Sequence, residues 1–122
     1  METKYQILAV DDDVSLLDLL SKEFIRAGYA VTLAYDGVEA VARVQTKQFD
    51  LAILDIKMPK MNGLEVLKYI KKHYPATKVI ILTAFADLSN AVEAKRNGAE
   101  AFIDKPCDVD ELLALMNRIL SS

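Results

Sequence analysis

The stretch ILAVDDD, residues 7–13, places three consecutive aspartates directly after four apolar residues. The apolar residues are typical of a buried strand, whereas adjacent carboxylates repel one another and need a reason to lie beside a core. Asp55 has the same setting, because it ends the apolar stretch LAILD at residues 51–55. Two predicted strands are thus each followed by aspartate. They indicate a buried sheet and a functional site at the ends of these strands.

Composition limits the class of protein. With 122 residues and a net charge of −3, we expect a single domain spanning 1–122 that makes no direct contact with nucleic acid. The single cysteine, Cys107, excludes an internal disulfide and fits a reducing compartment. No apolar run approaches the roughly 20 residues of a membrane span, and the first residues do not have the pattern of a secretory signal. We expect a cytoplasmic protein without membrane contact.

Five short apolar runs alternate with segments of helical periodicity. The runs lack polar alternation, which is typical of strands buried on both faces, as in parallel sheets. They span 5–10, 30–35, 51–54, 79–82 and 101–103. Between them, apolar residues recur at the spacing of a helix that packs one face on a core. The predicted faces are Leu17, Leu20 and Phe24; Val38, Val41 and Ala42; Leu64, Leu67 and Ile70; and Leu112, Leu115, Met116 and Ile119.

Capping residues mark several helix ends. Gly28 and Gly98 stand where helices end in a left-handed residue, and Asp108 with Glu111 has the pattern of a capping box. We expect Asp13 to cap the first helix rather than to bind metal. Five strands alternating with five helices predict an α/β fold, a doubly wound five-stranded parallel sheet in the order 2-1-3-4-5.

In such a sheet, ligands bind beyond the carboxyl ends of the strands, where the strand order reverses between strands 1 and 3. Asp11 and Asp12 leave the first strand there and Asp55 leaves the third, so their carboxylates should converge. Converging carboxylates repel unless a cation neutralises them, and Mg²⁺ prefers oxygen ligands. We therefore expect a Mg²⁺ site that a backbone carbonyl completes.

Two further strand ends bring a hydroxyl and an ammonium to the same edge. The fourth strand ends in Thr83, and Lys105 directly follows the fifth. A divalent cation, a lysine and a hydroxyl together neutralise the oxygens of a transferring phosphoryl group. A carboxylate within reach can be the nucleophile, and Asp55 is the better candidate because Asp11 and Asp12 are adjacent and suit metal ligation.

Four motifs at four strand ends resemble those of the receiver domain of bacterial two-component response regulators, which has the flavodoxin-like (βα)₅ fold. They are VDDD (10–13), LDIKMPKMNG (54–63), LTA (82–84) and KP (105–106), in the order and spacing of the family. The resemblance covers nearly the whole chain. It implies that Asp55 accepts a phosphoryl group from a sensor histidine kinase or a histidine phosphotransferase.

The resemblance also implies roles for the residues around Asp55. The implied Mg²⁺ ligands are Asp11, Asp12, Asp55 and the backbone carbonyl of Lys57. Thr83 and Lys105 would contact the phosphoryl oxygens, and a cis peptide would precede Pro106. Phosphorylation would pull Thr83 inward and let the switch residue Phe102 repack. The surface of the fourth helix, fifth strand and fifth helix would then act on an output protein or domain, or form a phosphorylation-dependent dimer.

Other functions remain open at this point. An Asp-nucleophile, Mg²⁺-dependent phosphohydrolase would need a second acid two residues after the nucleophile, where Lys57 stands. A flavodoxin-like electron carrier would need a phosphate-binding loop without acids after the first strand. A constitutive protein-interaction module on the receiver fold would not need the intact acid cluster. We expect a switch limited to self-phosphorylation and slow autodephosphorylation, not an enzyme of metabolic turnover.

Two side chains are expected to border the path of the water that would hydrolyse an aspartyl phosphate. Lys57 lies two residues after Asp55, and Phe85 lies two residues after Thr83. The charged lysine has no acceptor, and the phenyl ring is apolar, so neither positions a water well. We expect a long-lived phosphoryl group that suits transcription or relay.

Overall fold

A computed structural model describes residues 4–122, within which five strands alternate with five helices. The strands are β1 (Gln6–Val10), β2 (Ala30–Ala34), β3 (Leu51–Leu54), β4 (Lys78–Thr83) and β5 (Ala101–Asp104). The helices are α1 (Val14–Arg26), α2 (Gly37–Thr46), α3 (Gly63–His73), α4 (Leu88–Arg96) and α5 (Val109–Leu120). All strands pair in parallel in the order β2-β1-β3-β4-β5, which confirms the predicted sheet.

Helices cover both faces of the sheet, which explains the uninterrupted apolar runs. The three central strands β1, β3 and β4 are almost entirely buried, whereas the edge strands β2 and β5 are half-buried. Side chains alternate between the two faces along a strand. Leu8 of β1 packs in the core beneath α2, α3 and α4, and its neighbour Ile7 packs in the core beneath α1 and α5.

The face predicted for α2 is wrong. Val38 is 53% exposed, Ala42 is exposed and Val41 is half-buried. The buried residues of α2 are Gly37, Ala40 and Val44. A Cβ at Gly37 would lie only 2.0 Å from the carbonyl oxygen of Met61, so the start of α2 is in backbone contact with the loop after β3. That contact fixes the rotation of the helix, and small residues rather than Val38 face the core.

The predicted helix ends agree with the structure, except that only one half of the capping box predicted for Asp108 and Glu111 is present, the hydrogen bond from the Glu111 amide to Asp108. The side chain of Asp13 caps α1 by accepting a hydrogen bond from the amide of Leu16, and Asp108 caps α5. Gly28 and Gly98 follow α1 and α4 with φ of 99° and 95°, the left-handed region that favours glycine. No helix among residues 4–122 is long and apolar enough to cross a lipid bilayer.

Candidate functional site

The structure brings Asp11, Asp12 and Asp55 together at the carboxyl edge of the sheet. Each offers a carboxylate oxygen, and these oxygens all lie within 4.8 Å of one another. Asp11 is 4% exposed and Asp55 is 6% exposed, whereas Asp12 is open to solvent. The register of β1 and β3 explains why these aspartates lie close together. Val10 of β1 pairs with Leu54 of β3, and the aspartates directly follow both strands.

Backbone contacts hold Asp55 in place. Its amide donates to the carbonyl of Val10 at 3.1 Å, and its Oδ1 accepts from the amide of Ile56 at 2.8 Å. Gly63 at the start of α3 lies against the same residue, since a Cβ there would be 1.9 Å from the Asp55 carbonyl oxygen. Only glycine fits this approach, so the start of α3 helps to position Asp55. This role of Gly63 was not predicted from the sequence.

Lys105 supplies the positive charge of the site. Its Nζ donates to Oδ2 of Asp11 at 2.5 Å and to Oδ2 of Asp55 at 3.3 Å, so the ammonium bridges the two buried carboxylates. Its backbone amide donates to the carbonyl of Thr83 at 2.9 Å, which ties it to the end of β4. The peptide bond between Lys105 and Pro106 is cis, as the resemblance implies.

Burial and neighbouring charges shift the pKa values of Asp11 and Lys105. Burial raises the pKa of Asp11, and the charge of Asp55 adds to the increase, although hydrogen bonds from Lys105 and the Asp13 amide partly oppose it. Burial disfavours the charged form of Lys105, but the hydrogen bond and charge of Asp11, together with Asp55, outweigh it and raise the pKa of the lysine. Lys105 therefore stays protonated. An additional cation at the cluster would favour the ionised form of Asp11.

The donor set fits a hard divalent cation. The clustered carboxylates Asp11, Asp12 and Asp55 offer only oxygen, and the exposed position of Asp12 leaves room for the water ligands that Mg²⁺ retains. These three residues are the ones that would hold the ion. The fourth predicted ligand, the backbone carbonyl of Lys57, stays a prediction.

Thr83 and Phe102 lie on the neighbouring strands β4 and β5. Thr83 is fully buried, and its hydroxyl accepts from the amide of Phe85 at 3.1 Å. Phe102 pairs with Ile81, two residues before Thr83, and is half-buried against the core beneath α4. Together with Ala91 of α4 it lines a groove of about 280 Å³. The roles of both residues stay predictions.

Lys57 and Phe85, the residues expected to border the approach to Asp55, contact one another. The Lys57 Nζ lies 5.0 Å from the centroid of the Phe85 ring, which is a cation–π distance. Both residues are exposed. The contact joins the loop after β3 to the loop after β4.

Comparisons with known proteins agree with this geometry. The transcriptional regulatory protein ZraR of Salmonella typhimurium is 42% identical over 118 residues, which make up 97% of this chain and 27% of ZraR. The DNA-binding transcriptional regulator NtrC of the same species is 41% identical over 115 residues, or 94% of this chain and 24% of NtrC. The chain thus spans about a quarter of the length of these curated relatives.

A solved structure and a family model give the same result. The crystal structure of a CheY-like response regulator receiver domain protein from Methanospirillum hungatei JF-1 superposes with a TM-score of 0.96 at 36% identity. The match covers 98% of this chain and 95% of that one. The model of the response regulator receiver domain matches residues 7–117. With most of its length matched and the same fold, the chain belongs to the receiver domain family of two-component response regulators.

Proposed function

We propose that the chain is a phosphorylation-controlled switch in which Asp55 accepts a phosphoryl group from a sensor histidine kinase or a histidine phosphotransferase. The observation that carries the proposal is the convergence of Asp11, Asp12 and Asp55 with Lys105 at one edge of the sheet. This set contains oxygen ligands for a cation, an ammonium for phosphoryl oxygens and a carboxylate for attack on phosphorus.

In the proposed transfer, a carboxylate oxygen of Asp55 attacks phosphorus while the phosphorus–nitrogen bond to the donor histidine breaks. The donor imidazole, protonated on its other ring nitrogen, leaves as neutral imidazole with the electron pair of that bond, and Asp55 becomes an aspartyl phosphate. Mg²⁺ bound by Asp11, Asp12, Asp55 and the Lys57 carbonyl would neutralise part of the phosphoryl charge. Lys105, whose Nζ lies 3.3 Å from Asp55, turns from the carboxylates to the phosphoryl oxygens.

The proposed output passes through β4 and β5. The Thr83 hydroxyl, which accepts from the Phe85 amide, moves to donate its own proton to a phosphoryl oxygen, and Phe102 repacks beside α4. The α4-β5-α5 surface then acts on an output protein or domain, or pairs in a phosphorylation-dependent dimer.

The wider setting of the switch is also part of the proposal. ZraR and NtrC are transcriptional regulators, and this chain covers 24–27% of their length. We propose that residues 1–122 act as one cytoplasmic domain that controls transcription through an output partner, without itself contacting nucleic acid.

Phosphorylation by acetyl phosphate tests the proposal. In the presence of Mg²⁺ the intact mass should rise by one phosphoryl group, and EDTA should prevent the increase. Asp55→Ala should take up no phosphoryl group. Asp104→Ala, which removes an exposed aspartate at the end of β5, is the matched control and should behave as wild type.

Two outcomes would contradict the proposal. Equal uptake by Asp55→Ala and wild type would show that Asp55 is not the acceptor. Rapid consumption of acetyl phosphate with no lasting increase in mass would instead favour the phosphohydrolase.

A further inference from the structure

Helix α4 is attached to its surroundings unevenly along its length. Among the residues described for α4, only Ala94 is buried, and Leu88 in the first turn is 80% exposed. The side-chain hydrogen bonds at this end are local. The backbone amide of Asn90 donates to Oδ1 of Asp87 at 2.8 Å, and its side-chain amide donates to the carbonyl of Phe85 at 2.9 Å.

The carboxyl-terminal half of α4 is tied to α3 through Glu93. Its Oε1 lies 3.4 Å from Nζ of Lys68 on α3 and accepts from the side-chain amide of Asn97 at 3.1 Å. Arg96 lies 3.9 Å from the other carboxylate oxygen. The hydrogen bond from Asn97, followed by that from Lys68, lowers the pKa of Glu93. Glu93 is therefore a charged partner for Lys68 at neutral pH.

Lys71, one turn after Lys68, connects α3 to the segment that follows α4. Its Nζ donates to the carbonyl of Thr77 at 2.9 Å and to the two carboxylate oxygens of Glu100 at 3.0 and 3.1 Å. Glu100 also accepts from the amide of Val79 at 2.7 Å, which fixes it to β4. The stem of Lys71 covers Gly98, because a Cβ there would lie 3.4 Å from the lysine Cγ.

We propose that Lys68 and Lys71 form a clamp that makes the carboxyl-terminal end of α4 a pivot, so that phosphorylation moves mainly the amino-terminal end. This inference rests on the proposed function of Asp55. The unclamped end is the one joined to the site, since a short loop connects Thr83 to Leu88. A displacement at Thr83 therefore reaches the first turn of α4 directly, while α3 and β4 hold the last turn.

The clamp also determines which exposed side chains of α4 move most. The first turn carries Leu88, and the next turn carries Val92, which is 46% exposed. Both are large apolar residues on a helix that buries little of its own surface. Movement about a pivot near Gly98 displaces Leu88 more than Val92, because Leu88 lies farther from the pivot along the helix.

Amide hydrogen exchange of the unphosphorylated protein tests the clamp. The double variant Lys68→Met with Lys71→Met keeps the aliphatic stems and removes both ammonium groups. We expect the amides of residues 93–98 to exchange about fivefold faster or more than in wild type. Lys72→Met is the matched control, because Lys72 is exposed, lies on the same helix and forms no ion pair within the described part of the chain.

Unchanged exchange at residues 93–98 in the double variant would overturn the clamp. If that variant fails to fold, Glu93→Gln replaces it, since glutamine retains an acceptor for Asn97 but loses the charge that pairs with Lys68. The expected acceleration in Glu93→Gln is smaller, about twofold, because the contact between Lys71 and Glu100 remains.

Amide chemical shifts with beryllofluoride and Mg²⁺ test the pivot. In wild type, the changes should be largest at residues 88–91 and decline toward residue 98, and in the double variant they should extend to residue 98. A uniform change along the wild-type helix would contradict the pivot. Failure of Asp55 to take up a phosphoryl group from acetyl phosphate would instead contradict the proposed function, while the exchange experiment still decides the clamp.

Discussion

Asp12 differs from the other two aspartates of the cluster because its carboxylate is exposed, while Asp11 and Asp55 are buried. It can therefore supply charge to a cation at little cost in desolvation. We predict that Asp12→Ala weakens Mg²⁺ binding about tenfold or more, since the open site leaves few protein ligands. The metal-free variant should be more stable by about 0.5 kcal/mol because repulsion is relieved. Calorimetric titration and urea unfolding measure the two effects.

Asp13→Asn is the matched control for this experiment. Asparagine retains the cap of α1 and removes one charge beside the cluster. We expect its Mg²⁺ affinity to stay within about threefold of wild type, because an exposed charge outside the ligand set is screened. An equal loss of affinity in Asp12→Ala and Asp13→Asn would contradict a ligand role for Asp12.

Lys60 has a φ of 72°, a left-handed conformation that costs a residue with a Cβ roughly 1 kcal/mol. Its Nζ lies 3.4 Å from Asp36, but the lysine side chain is 65% exposed, so this ion pair adds little stability. We predict that Lys60→Gly raises the free energy of unfolding by about 0.5 kcal/mol, since relief of strain outweighs the flexibility of glycine. Lys60→Ala keeps the strain and loses the pair, so it should be slightly less stable than wild type. A lower free energy of unfolding in urea for Lys60→Gly than for Lys60→Ala would contradict backbone strain at Lys60.

At the scale of elements, the loops after β3 and β4 meet where the cation–π contact joins Lys57 to Phe85. The charged lysine offers no acceptor for a hydrolytic water, and we expect the phenyl ring to occupy space beside the path of that water. We predict that Lys57→Asn with Phe85→Ala loses the phosphoryl group about three- to tenfold faster, because an amide can hold the water and the path is wider. Intact mass followed over time in Mg²⁺, after removal of acetyl phosphate, gives the decay rate.

Lys60→Ala serves as the control for that decay, since Lys60 lies in the same loop but pairs with Asp36. Its decay rate should equal that of wild type. If the double variant also decays at the wild-type rate, Lys57 and Phe85 do not determine the lifetime of the phosphoryl group.

The elements differed in how well the sequence predicted them. Each strand end was predicted to within one residue, because burial on both faces leaves uninterrupted apolar runs in β1, β3 and β4. No face was predicted for α4, since its large apolar residues Leu88 and Val92 are exposed and only the small Ala94 is buried among its described residues. The face of α2 was predicted wrongly because a backbone contact at Gly37, rather than side-chain size, sets its rotation.

At the scale of the whole molecule, parallel strands explain why the site could be predicted from distant parts of the chain. Each strand of the sheet delivers its carboxyl end to one edge, so Asp11, Asp55 and Lys105 meet although many residues separate them. The bridge that Lys105 forms between two carboxylates could not be predicted, because it depends on side-chain conformation. The same holds for the contact between Lys71 and Glu100, which joins α3 to the segment before β5.

The most direct test identifies the residue that carries the phosphoryl group. Protein treated with acetyl phosphate and Mg²⁺ is reduced with borohydride, which converts an aspartyl phosphate to homoserine, and is then digested and sequenced by tandem mass spectrometry. We predict homoserine at position 55, with aspartate retained at Asp11 and Asp12. Homoserine at position 11 or 12, or unmodified Asp55 in protein whose mass shows uptake of a phosphoryl group, would contradict the assignment of Asp55 as the phosphoacceptor.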